Sequence, residues 1–124
     1  MIRSSVAATI VDVGNPHCVL FVEDERTAPV GELGPLLERH PRFPAGTNVE
    51  FLATRAGIWR LRVWERGVGE TLACGSGACA AAAVLHAKGL APLPVRLALP
   101  GGMLEVDLDA SGTLELSGPV VELA

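Results

Sequence analysis

The sequence predicts an α+β fold in which short strands wrap about one alanine-rich helix, with a second, short helix on the surface. Three observations predict it. Residues 75–88 are Gly, Ala, Cys, Val and Leu nearly all round until His86, so this helix should be buried on most faces rather than lie on a surface. Short β-branched and apolar runs recur on either side of it, separated by Gly, Pro, Asn and Asp clusters of the kind that turn a chain between strands. With 124 residues and 49% hydrophobic content, the chain can bury one core and is too short for two ordinary domains, so 1–124 is expected to be a single domain.

In chain order, residues 6–13 are apolar and β-branched, and Gly14-Asn15-Pro16 separates them from a second apolar run at 17–22. This reads as two strands around a turn. Residues 29–40 carry Val30, Leu33, Leu36 and Leu37 at helical spacing despite Pro35, and Pro41 stops the run, which predicts the short surface helix. Strands follow at 48–53 and 57–64, the second alternating Trp59, Leu61 and Val63 against Arg60, Arg62 and Trp64, so one face is buried and the other partly charged. Gly67-Val68-Gly69-Glu70 reads as a turn into the helix at 75–88, which Gly89 ends. Strands at 95–99, 102–108, 113–117 and 120–123, joined by Pro-Gly, Asp-Ala-Ser-Gly and Gly-Pro turns, complete the chain.

Composition excludes several classes. The net charge is −4 and the ten basic residues are scattered, so there is no basic stripe for nucleic acid or for an anionic membrane. The longest apolar run, at 78–85, is too short to span a bilayer, and the start of the chain shows no charged-then-apolar signal pattern; a cytoplasmic protein is expected. Three cysteines, an odd number, argue for reduced thiols rather than a disulfide framework. Cys74 and Cys79 are five apart on one helix, a poor spacing for a bridge or a shared metal, and no metal is expected.

Chemistry concentrates at Ala73-Cys74-Gly75-Ser76-Gly77-Ala78-Cys79, which sets a cysteine on a glycine-rich turn just before the helix. The unpaired N–H groups and dipole of a helix N-terminus favour negative charge and can pull a thiol below its usual pKa of about 8.5. Cys74 is therefore expected to be a base or nucleophile with a depressed pKa rather than a small packed hydrophobe. The backbone N–H groups of Gly75 and Ser76, with the Ser76 hydroxyl, form a cradle for a carboxylate or phosphate beside it. Gly75-Ser76-Gly77-Ala78-Cys79-Ala80 also fits a dinucleotide fingerprint, but that motif needs a strand running directly into it and an acid at the end of the next strand. Here the approach is a turn, and Leu99-Pro100 carries no acid.

Other polar residues admit two readings. Asn15 and His17 form a cluster in a turn between apolar strands, where they either face a ligand or cap the turn. Glu65 and Arg66 end a strand and begin the approach to Cys74; Arg66 would grip a carboxylate with paired hydrogen bonds, or the two make a surface ion pair. Asn48 is a turn residue or a ligand amide. Cys18 and Cys79 are expected in the core, and His40 and His86 are ordinary helix-end residues.

Gly14-Asn15-Pro16-His17-Cys18-Val19, Thr47-Asn48-Val49-Glu50-Phe51, Trp64-Glu65-Arg66-Gly67 and Ala73-Cys74-Gly75-Ser76-Gly77-Ala78-Cys79-Ala80, in this order over nearly the whole chain, resemble the C-terminal half of diaminopimelate epimerase. Pro100-Gly101-Gly102 and Ser117-Gly118-Pro119 are similar to that family's late strands. The resemblance implies a mixed or antiparallel sheet curled into a barrel around the central helix. It also implies a cofactor-independent isomerase, with no pyridoxal phosphate, that inverts one α-carbon of diaminopimelate between two cysteines, as in lysine and peptidoglycan precursor biosynthesis. By that resemblance Cys74 is one of the pair, and His17 and Glu65 tune the thiols. Gly75 and Ser76 bind the carboxylate at the reacting centre, and Asn15, Asn48, Glu65 and Arg66 hold the substrate's ammonium and carboxylate groups. Proline racemases and phenazine-biosynthesis isomerases share the general fold, but the Asn-Pro-His and Glu-Arg-Gly stretches fit the epimerase better.

The resembled family is about twice this length, with its other cysteine in an N-terminal half that this sequence lacks. The expected partner is therefore that missing half, in cis or in trans, or a second copy of this chain pairing face to face. A non-catalytic binding module with the same fold is the reading from a different class, and thiol reactivity separates the two.

Overall fold

The computed structural model describes residues 8–118. Within them, the first apolar run forms β1 (Ala8–Asp12) and the second β2 (Pro16–Phe21), an antiparallel pair with Val11 opposite His17. Gly14 makes the turn with a φ of +110°, and its N–H donates to Asp12 Oδ1 at 2.8 Å. The expected start at residues 6 and 7, and the expected strand at 120–123, lie outside the described residues.

β2 next pairs in parallel with β3 (Asn48–Arg55), and a parallel pair needs a crossover, which α1 (Val30–Glu38) supplies. The helix is shorter at both ends than the spacing predicts, and Pro35 is accommodated inside it. Alternation along the strands decides its place. Cys18, Leu20, Val49 and Phe51 point to one face and pack with Val30, Leu33 and Leu37 of α1. Gly34 makes that approach possible: a Cβ there would stand 2.5 Å from Cγ of Trp64.

β4 (Ile58–Glu65) runs antiparallel to β3, and β5 (Gly69–Thr71) folds back on its end, with Glu65 opposite Gly69. The glycine approach to Cys74 is thus a short strand, where the sequence suggests only a turn. α2 (Gly75–Ala87) crosses to β6 (Val95–Leu99), which pairs in parallel with β4, and β7 (Gly102–Leu108) and β8 (Leu114–Ser117) follow as antiparallel neighbours. Gly89 ends α2 with a φ of +69°. Ala78, Ala80, Ala81, Ala82, Val84 and Leu85 are buried, as an alanine-rich helix with no polar face requires. They pack against Val19, Leu52, Leu61, Val63, Leu97 and Val106 on the sheet face opposite α1.

Among the described residues the result is one mixed sheet of eight strands, in the order β1-β2-β3-β4-β6-β7-β8 with β5 on β4. The expected closure into a barrel is not found. The sheet bends about α2, which touches β1, β2, β3, β4, β6, β7 and β8, yet among the described residues β1 and β8 remain the two edges of the sheet. The reason lies between those edges: the N-terminal turn of α2 stands there, with Asp12 and Val13 on one side and Leu114 and Leu116 on the other, around an open cavity of about 530 Å³. Among the described residues no helix is long and apolar enough to cross a membrane.

Candidate active site

Strand polarity gathers the polar residues. β2 and β3 begin, and β4 ends, at the same end of the sheet's strands, so Asn15, His17, Asn48, Glu65 and Arg66 come together there. His17 is opposite Asn48 in the parallel ladder, and the Arg66 backbone N–H donates to Asn48 Oδ1 at 2.7 Å, clasping the ends of β3 and β4. Glu65 is half-buried and accepts from the Thr71 hydroxyl at 2.5 Å. Arg66 does not turn inward. Its guanidinium donates to the Ala45 carbonyl at 3.0 Å and its stem lies against Gly46.

Cys74 is the N-cap of α2, in extended conformation, and its sulfur accepts the Gly77 N–H at 3.3 Å. The Ser76 hydroxyl lies 3.6 Å from the same sulfur. Gly75 and Ser76 line the open cavity between β1 and β8, so the expected anion cradle faces accessible space. The expected depression of the thiol is not found. Burial pushes the Cys74 thiol up, the Ser76 and Gly77 hydrogen bonds pull against it, and the Glu65 and Glu50 carboxylates add to the upward push. The helix N-terminus supplies its donors as the sequence suggests, but Cys74 is only 7% exposed and lies near acids rather than cations.

Cys18 is buried on the α1 face and its thiol is pushed up to about 11, by burial first and Glu50 second. Cys79 is half-buried on α2, packs against the core and also lines the open cavity. Cys18 is in the core as expected, whereas Cys79 only borders it.

One residue that the sequence reading did not single out stands at the centre. Glu50, near the start of β3 and fully buried, places Oε2 2.6 Å from His17 Nδ1. Nε2 of the same imidazole lies 3.0 Å from Asn15 Oδ1. Burial pushes the Glu50 carboxyl up to about 7, against the pull of His17, with Glu65 adding a further push. The available signal was a carboxylate inside Val49-Glu50-Phe51-Leu52-Ala53, since an acid on a strand buried on both faces needs a partner.

The family model described as diaminopimelate epimerase matches residues 9–122. The chain belongs to the diaminopimelate epimerase family. It is 46% identical over 116 residues to a diaminopimelate epimerase of Synechococcus elongatus, covering 93% of this chain and 41% of that one. It is 51% identical over 118 residues to that of Pseudomonas entomophila, covering 91% and 42%, and 48% identical over 124 residues to that of Pseudomonas savastanoi pv. phaseolicola, covering 96% and 44%. The chain thus spans little more than two fifths of the length of these diaminopimelate epimerases. Among solved structures, a phenazine biosynthesis protein of the PhzF family from Enterococcus faecalis shares the fold with a TM-score of 0.61 at 19% identity, over 78% of this chain and 35% of that one. The PhzF family protein of Bacillus anthracis does so with a TM-score of 0.60 at 16% identity, over 90% and 38%.

Proposed function

We propose that this chain supplies one of the two acid/base thiols of a cofactor-independent diaminopimelate epimerase, and that the other thiol comes from a complementary half or a second copy. The observation that carries the reading is the Cys74 sulfur at the N-cap of α2, beside the Ser76 hydroxyl, with Gly75 and Ser76 open to a cavity. The substrate's α-carboxylate would sit on those N–H groups, where negative charge developing at the α-carbon is stabilised.

With burial holding Cys74 protonated, its role at neutral pH in the isolated chain is that of the acid. In one direction a thiolate on the far face removes the α-proton, the Cα–H electron pair delocalises into the carboxylate, and the Cys74 S–H bond breaks to deliver its proton to the near face. In the reverse direction Cys74 returns as the thiolate and the roles exchange. Asn15 and Asn48 are the side-chain donors available for carboxylate groups, Arg66 would join them only by leaving the Ala45 carbonyl, and Glu65 is the acceptor for an ammonium. His17 and Glu65 set the electrostatic environment of the thiols. Cys18 and Cys79 are unsuited to be the second base, the first lying on the other face of the sheet and the second one turn beyond Cys74 on the same helix.

The test is α-hydrogen exchange of diaminopimelate in deuterium oxide, followed by NMR, with the chain alone, the chain plus an N-terminal half from the Pseudomonas entomophila relative, and Cys74→Ala in each. Exchange with inversion that needs Cys74 and the added half supports the reading. Inversion by the chain alone would point to self-pairing, and a solution dimer with the two Cys74 sulfurs far apart would exclude that route. No exchange under any condition, from a folded chain, would leave a binding module.

A further inference from the structure

One buried acid takes no part in the chemistry above. Glu50 is fully buried within six consecutive buried positions of β3, and a carboxyl so placed is retained only where it is paired and hydrogen-bonded. Its partner is the equally buried His17, and the arrangement dictates where the protons sit. An amide oxygen only accepts, so His17 Nε2, 3.0 Å from Asn15 Oδ1, carries a hydrogen and donates it. Nδ1 then faces Glu50 Oε2 at 2.6 Å, a separation at which a bare lone pair and a carboxylate oxygen repel; one proton must lie between them.

The pair also lies beneath the thiol. A Cβ on Gly77 would stand 3.1 Å from Glu50 Oε2 and 3.3 Å from Cys74 Sγ, so a single backbone position separates the carboxyl from the sulfur. The other Glu50 oxygen, Oε1, has no hydrogen-bond partner among the described residues. The groups that face or influence Glu50 are His17 and Cys18 of β2, Glu65 of β4 and Cys74 of α2. His17 is the one that can answer its charge.

We infer that Glu50 is a positioning residue of the site: through one shared proton it locks His17 in the form whose Nε2–H pins Asn15 Oδ1, leaving the Asn15 NH₂ group as a free donor toward an anionic part of the substrate. The catalytic consequence rests on the epimerase reading, whereas the shared proton is a property of the folded chain by itself. Glu50 acts on Asn15 at one remove, through His17, and touches no reacting atom.

The experiment is nitrogen-15 and proton NMR of the histidine rings in the folded chain, with His17 assigned by His17→Gln, compared with the near-isosteric Glu50→Gln. The wild type is expected to show a strongly deshielded proton on His17 Nδ1 together with a hydrogen on Nε2. In Glu50→Gln the deshielded proton disappears while the backbone amide spectrum is kept. A wild-type His17 with a bare Nδ1, or ring signals identical in the two proteins, overturns the inference without reliance on any variant's activity. In the exchange assay Glu50→Gln should lower the rate by roughly tenfold or more, the scale of a small misplacement of a positioning group. An undiminished rate overturns the catalytic role. If the wild type shows the shared proton but no exchange with the complementary half, the epimerase reading fails and the dyad stands.

Discussion

The backbone N–H of Gly77 donates to the Cys74 sulfur at 3.3 Å, so the thiol that is the candidate acid also caps the helix it precedes. Structure and chemistry therefore share one atom, and variants at these two residues can separate the roles.

Cys74→Ser keeps an acceptor at the N-cap, whereas Cys74→Ala removes it. Both should lose α-hydrogen exchange, but only Cys74→Ala should lower stability by about 1 kcal/mol, the usual cost of deleting a cap. Urea denaturation of the two variants beside the wild type checks this, and equal destabilisation would deny the sulfur its capping role.

Gly77 has no room for a side chain: a Cβ would meet Val63 Cγ2 at 3.0 Å and the Glu50 carboxyl at 3.1 Å. Gly77→Ala should cost about 1–3 kcal/mol by overpacking and displace the sulfur or the carboxyl. Gly34→Ala, which drives a methyl into the Trp64 ring on the opposite face, should destabilise comparably without altering Cys74 reactivity. Thermal melts with thiol alkylation distinguish the two sites.

Alkylation of Cys74 in a Cys79→Ser background should follow a pH profile whose midpoint lies above that of an ordinary thiol. Burial is the largest influence on the group, and the Glu65 and Glu50 carboxylates oppose ionisation further. A midpoint below the ordinary value would show that the helix N-terminus outweighs desolvation. Addition of the complementary half in the same assay reports whether docking moves the thiol toward the thiolate.

All three cysteines are pushed up in the folded chain, Cys18 to about 11 from an ordinary 9.0. A thiol with a folded pKa above its unfolded one contributes stability that is fully present below the unfolded value and is lost as pH rises through the folded one. Stability should therefore fall between about pH 9 and pH 11. Cys18→Ala should be less stable overall yet show a shallower fall, measured as urea midpoints across that window.

Most elements were legible because their signals are local. The alternation of Trp59, Leu61 and Val63 with Arg60, Arg62 and Trp64 predicts a strand, and β4 is there. Ala80, Ala81, Ala82 and Val84 in a run that opens with Gly-Ser-Gly predict a buried helix, and α2 is buried. β5 was not legible, since three residues around Gly69 carry no periodicity and pair only because β4 is already in place.

By itself the sequence determined where the helices and most strands lie, that α2 must be enclosed, that a cysteine stands at its first turn, and the family to which its motifs belong. These follow from side-chain period, from turn and cap preferences, and from short motifs, all of which act between near neighbours. Only the tertiary structure decided that the sheet stays open at β1 and β8, that Arg66 turns to Ala45, and that His17 reaches Glu50 across 33 positions of chain. It also decided the direction of the Cys74 thiol. A helix N-terminus can be read from spacing, but desolvation depends on every group that folding brings around the sulfur, and here that enclosure outweighs the donors.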